Sequence, residues 1–155
     1  MSVSLSDRSR AELKGVHPDL IWIVERAIVL TDQDFCVHDG VRTLDEQKAL
    51  VRSGASRTMN SRHLIRSDGF GHAVDLVPWI NGKPRWEWKP IYRIAVAVRR
   101  AAVERCAELT WGGVWDRRLN DLPADADGIE AAAKAYCARH PGPDFIDGPH
   151  YELAA

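Results

Sequence analysis

Six histidines, at positions 17, 38, 63, 72, 140 and 150, are the residues of this chain best suited to hold a metal ion. A catalytic zinc site needs three protein ligands from N, O or S donors, converging on the ion with one position left open. His63 stands in a stretch rich in Ser, Arg and Gly, and Asp75 follows on a β-prone segment. Twelve positions separate the two, so helical spacing cannot join them, but a loop that doubles back can. His150 is remote in sequence, beside Pro149 at the start of a final β-prone stretch. If that stretch pairs beside 73–79, His150 and Asp75 meet. Two imidazoles and one carboxylate, with water, make an ordinary catalytic zinc set. Asp147, three residues before His150, is placed to serve as a base for water. Arg42, ahead of a helix start, can bind a carboxylate or an oxyanion through parallel N–H bonds. Each has an ordinary reading too: surface or hydrogen-bonded histidines, a strand-end Asp, a turn Asp in Asp147-Gly148-Pro149, a solvated Arg.

The elements that must position these residues are legible in outline. Leu20, Ile23, Val24, Ala27 and Ile28 share one face of a helix over 19–30. Phe35–His38 reads as a short strand, followed by the turn signal Asp39-Gly40. Thr43 with Glu46 forms a capping box, predicting a helix from about 44 to 53 that stops at Gly54. Residues 55–71 read as loop and 73–79 as the strand leaving it. Asn81 to Pro84 is a turn, and a long helix follows Pro90. Leu109–Trp111 is a short strand that ends at Gly112-Gly113. Residues 124–139 form an alanine-rich helix stopped by Pro141-Gly142-Pro143, and 148–153 returns as a last strand. Helices alternating irregularly with short strands predict an α+β domain, a small antiparallel sheet with flanking helices.

The bulk properties narrow the function classes. The chain has 155 residues, 45% hydrophobic and 28% charged, as expected of one folded domain over 1–155. Its formal charge of −1 gives no field to recruit DNA, so no nucleic-acid partner is expected. The polar amino-terminus carries no apolar signal segment, and no apolar run spans a bilayer. We therefore expect a protein made in the cytoplasm, without membrane insertion. Cys36, Cys106 and Cys137 are odd in number and widely spaced, which predicts reduced and mostly buried thiols.

Four segments together resemble a known family. SRHLIRSDGFGHAVDLVPW (61–79) is similar to the Ser-x-His-x-x-Gly-x-Ala-x-Asp motif of the D-alanyl-D-alanine carboxypeptidase family of zinc peptidases. GVHPDL (15–20) with DGVRTLDEQ (39–47), LTWGGVW (109–115) and FIDGPHYEL (145–153) resemble that family's other segments in the right order, and lean toward its phage L-alanyl-D-glutamate endopeptidase branch. The resemblance implies a fold shared with the hedgehog domain. It implies zinc on His63, Asp75 and His150, Asp147 as general base, and Ser61 and Arg42 contacting substrate or oxyanion. His72 matches a common but non-ligating motif position, and we expect it at the surface or behind a ligand.

Two departures from the family pattern stand out. The gap between His63 and Asp75 is longer than usual, its excess carried by Ile65–Phe70, which we expect to be a mobile flap beside the metal. A helical insertion is expected over about 116–144, within a core of about 15–153.

The function implied is hydrolysis of peptidoglycan stem peptides, as a monomeric phage or prophage endolysin acting on the wall from the periplasm once the membrane is breached. The competing readings are a D,D- or L,D-carboxypeptidase of the same family and a non-catalytic zinc-binding module. The carboxylate of Asp147 disfavours the module, because binding alone needs no base.

Overall fold

The computed structural model describes residues 4–56, 58–141 and 146–154. Its helices are α1 (Asp7–Glu12), α2 (Pro18–Leu30), α3 (Leu44–Ser53), α4 (Trp88–Arg105) and α5 (Ala126–Arg139). Its strands are β1 (Phe35–Asp39), β2 (Ala73–Ile80), β3 (Lys83–Pro84), β4 (Leu109–Gly112), β5 (Val114–Arg118) and β6 (Asp147–Leu153), and a 3-10 turn covers Leu119–Asp121. The fold is α+β, a small antiparallel sheet flanked by helices. Strand order is β1-β2-β6-β4-β5, with β3 a short ribbon on β2, and every named pairing is antiparallel.

Local chemistry explains most element ends. Both halves of the Thr43–Glu46 capping box form, and Gly54 ends α3 with φ 82°, a left-handed conformation that glycine adopts without strain. His17 caps α2 by accepting from the Asp19 amide, and Asp125 caps α5 by accepting from Gly128. Helix α4 begins two residues ahead of Pro90, which falls in its first turn, where a missing N–H costs nothing. The short helix α1 and strand β5 carry no strong periodic signal and were not anticipated. The stop at Pro141-Gly142-Pro143 and the residue Phe145 fall wholly or partly in 142–145, outside the described residues.

The apolar faces of α2 and α4 and one face of the sheet share one core. Leu20, Ile23, Val24, Ile94, Val98, Val74, Leu76, Trp111 and Tyr151 are at most 1% exposed there. Burying side chains of this size contributes about 1.5–3 kcal/mol each. The indole N–H of Trp111 donates to Gly148 O at 2.6 Å, so its polar atom is satisfied inside the core. Leu119, Leu122 and Ile129 are at most 2% exposed, so α5 and the segment that leads to it from β5 belong to the same core. The expectation of mostly buried thiols fails. Cys106 is the exposed left-handed C-cap of α4, Cys137 faces out from α5, and only Cys36 is partly buried.

Two irregularities aim side chains. Between β1 and β2 the register slips past His38, so that Asp39 comes opposite Asp75. Between β4 and β6 it slips after Trp111–Tyr151, so that Gly112 meets Asp147. In a regular strand Asp147 and His150, three apart, would face opposite sides of the sheet. With the slip, both line one cavity. A Cβ on Gly112 would lie 2.0 Å from Asp147 O, so only glycine permits this approach.

Candidate metal centre

Asp75 and His150 are cross-strand partners on β2 and β6, on the face away from Val74, Leu76 and Tyr151. His63 arrives from the loop between α3 and β2. That loop is tied down by backbone bonds: Arg42 N–H donates to His63 O, and His72 N–H donates to Arg62 O. Donor atoms of His63, Asp75 and His150 all lie within 4.8 Å of one another, and all three residues are buried.

The hydrogen bonds set the tautomers. His63 Nδ1 lies 2.7 Å from Gly40 O and must donate to it, which leaves Nε2 with a bare lone pair. That Nε2 is buried without a hydrogen-bond partner, although Asp75 Oδ1 is only 3.3 Å away. An imidazole lone pair facing a carboxylate oxygen is two acceptors in contact, an arrangement that calls for a cation between them. His150 repeats the pattern. Its Nε2 lies 2.8 Å from Glu152 Oε1 and donates there, while Nδ1 faces Asp75 Oδ1 at 3.3 Å. Ligands about 3.3 Å apart are what a tetrahedral cation with bonds of about 2.0–2.1 Å requires. The group can therefore hold a metal ion.

Without a cation, a proton takes its place. Burial lowers the His150 pKa, but Asp75 and Glu152 outweigh it and push it up to about 9. Burial raises the Asp75 pKa, yet the two histidines hold it well below the usual carboxylate range.

Around the three donors lies a cavity of about 380 Å³ lined by Arg42, Ser61, Arg62, Trp115, Asp147 and Glu152, among others. Burial raises the Asp147 pKa and the charge of Asp75 adds to it, against smaller opposing effects of His150, His63 and Arg42. Arg42 is heavily committed. Its Nε donates to Asp39, one terminal nitrogen to Gln47 Oε1 at 3.1 Å and the other to Asp75 Oδ2 at 3.3 Å. Ser61 Oγ accepts from the His63 amide at 3.2 Å, so it shapes the turn that carries His63. The Trp115 ring lies 5.4 Å from that of His150.

All six residues singled out from the sequence thus line or form one site. Those missed include Gly40, Gln47, Arg62 and Glu152. Glu152 was findable, since two residues from His150 on a strand means the same face. Gly40 acts through its carbonyl, which no side-chain pattern reveals.

The Ile65–Phe70 segment is a closed turn. Arg66 N–H donates to Phe70 O, Gly69 N–H to Arg66 O and Phe70 N–H to Asp68 Oδ1. His72 lies 2.7 Å from Asp68 Oδ2, and the Phe70 and His17 rings meet at 5.5 Å. The segment is thus fastened toward His17 and His72.

A buried His–Asp–His group beside a carboxylate, on an antiparallel sheet backed by helices, defines the class of metal-dependent peptidases. Within that class the chain belongs to the phage L-alanyl-D-glutamate peptidase family, whose profile it matches over residues 1–154. It is 28% identical over 120 residues to the L-alanyl-D-glutamate peptidase of Escherichia phage T5, covering 75% of this chain and 84% of that protein. It also resembles the crystal structure of the Serratia marcescens L-Ala D-Glu endopeptidase ChiX, with TM-score 0.71 and 34% identity. That match covers 99% of this chain and 91% of the other.

Proposed function

We propose that this enzyme hydrolyses the L-alanyl-D-glutamate bond of peptidoglycan stem peptides, using zinc held by His63, Asp75 and His150. The observation that carries this reading is the pair of imidazole lone pairs facing one buried carboxylate at 3.3 Å, beside Asp147 in an open groove. Zinc bound there would polarise the scissile carbonyl and make water in the site more acidic. Asp147, with its proton affinity raised by burial, takes the proton of the attacking water and passes it to the leaving amine. Arg42 balances the charges of Asp39 and Asp75 and presents its remaining N–H groups to the oxyanion. Ser61 holds the His63 turn and offers its hydroxyl hydrogen to the substrate backbone.

Among the described residues no helix is long and apolar enough to cross a membrane. We place the site of action on the wall, reached from the cytoplasm once the inner membrane is opened by another agent. The decisive experiment is digestion of purified peptidoglycan followed by mass spectrometry. Release of fragments ending in L-alanine, with new D-glutamyl amino-termini, is the expected result. Loss of a terminal D-alanine alone would establish a carboxypeptidase instead.

A further inference from the structure

We propose that Arg62 is the residue that recognises the free carboxylate of the D-glutamyl residue on the leaving side of the scissile bond. The inference rests on the L-alanyl-D-glutamate reading above and concerns how that substrate is selected.

The cavity is rich in negative charge. Asp147 and Glu152 line it, Asp75 lies against the lining residues His63 and His150, and Asp39 stands behind Arg42. A glutamyl residue joined to the rest of the stem peptide through one of its carboxyl groups keeps the other ionised, close to the nitrogen of the bond being cut. Brought beside Asp147, that charge is repelled unless a cation meets it. Among the described residues, two arginines line the cavity, Arg42 and Arg62. Arg42 already serves Asp39, Gln47 and Asp75 with all three nitrogens.

Arg62 differs. Its contact among the described residues is Nε toward Glu152 Oε2 at 3.4 Å, and Glu152 spends its other oxygen on His150. The two terminal nitrogens of Arg62 make no hydrogen bond to described residues, and the side chain stays about a quarter exposed, at 27%. This leaves the end-on fork of the guanidinium open, which is the geometry that takes a carboxylate through two parallel bonds. The backbone beneath is fixed, because Arg62 O accepts from His72 N–H and the next residue is His63. The backbone that carries the cation is therefore held at a set place relative to the candidate metal ligands. Among the described residues of the wall around it, Ser56, Thr58, Asn60 and Ser61 are polar and uncharged. It solvates a carboxylate without competing for it.

The test compares two synthetic stem peptides, one with the free D-glutamyl carboxyl and one with that group as its carboxamide. Both are given to zinc-loaded wild type and to Arg62→Gln and Arg62→Lys. The wild type is expected to prefer the free acid. Arg62→Gln should lose about 10- to 100-fold in kcat/KM on the acid, the range for removing a hydrogen bond to a charged group. The loss should fall mainly on KM, and activity on the carboxamide should change little. Arg62→Lys should recover part of the loss on the acid. Zinc content, measured on the same samples, should stay at one per chain. Equal losses on both peptides, or loss of zinc, would show that Arg62 acts by supporting Glu152 and His150, and would overturn the proposal. A wild type indifferent to the carboxyl group overturns it as well. A wild type that cuts neither peptide yet digests intact wall at another bond would instead refute the L-alanyl-D-glutamate reading, and the assignment of Arg62 with it.

Discussion

The two halves of the candidate metal centre are built by different means. Asp75 and His150 are neighbours across a β-ladder, so the register of β2 and β6 alone places them face to face. Their strands share a core with α2 and α4 on the opposite side. His63 has no ladder beneath it. It is positioned by a Ser61 turn, by a bond from its ring to Gly40 O and by the bonds of its loop to Arg42 and His72. The strand half is therefore maintained by the global fold and should last until the domain unfolds. The loop half depends on a few local bonds that can open separately.

The comparison can be broken most severely by removing a ligand. His63→Ala and His150→Ala should each lose zinc almost completely on dialysis and leave no measurable turnover, as read by metal analysis and peptide cleavage. The two should differ in stability. His150→Ala removes a buried imidazole between two carboxylates, so the zinc-free variant should melt lower than zinc-free His63→Ala.

Asp147→Asn comes next. The amide is nearly isosteric but cannot take a proton, so turnover should fall by about 10² or more with zinc and melting temperature unchanged. Turnover within a few-fold of wild type would place the base elsewhere.

Glu152→Gln tests the strand half more gently. It leaves a poorer partner for His150 Nε2 and should weaken zinc affinity by about 10- to 100-fold, as chelator competition would measure. Unchanged affinity would mean that register alone orients His150.

The smallest effect is expected from shortening Ile65–Phe70. Its bonds run to itself and toward His17 and His72. Zinc content should be retained, with at most a few-fold change in KM. Loss of zinc would show that the loop half depends on this turn.

The helices were readable because their signals are local. A capping box, a C-cap glycine and an apolar stripe act within a few residues, and α2, α3 and α5 end within two residues of where those signals put them. Helix α1 was missed because six residues are too few to establish a period. Strand β5 was missed because only Val114 among its residues is fully buried, so it has no alternating pattern. The ligand residues were readable as types and order. Their convergence became an expectation only through the resemblance of four whole segments.

By itself, the sequence determined which residues have the chemistry, where the helices start and stop, and to which family the chain is similar. These depend on side-chain type and short-range backbone preference, which are properties of neighbouring residues. The tertiary structure alone decided that β6 lies between β2 and β4, that a register slip at Gly112 turns Asp147 to the side of His150, and that Gly40 O fixes the tautomer of His63. Each of these joins atoms remote in sequence through main-chain groups. Every residue carries the same N–H and C=O, so side-chain pattern does not reveal which pair will meet.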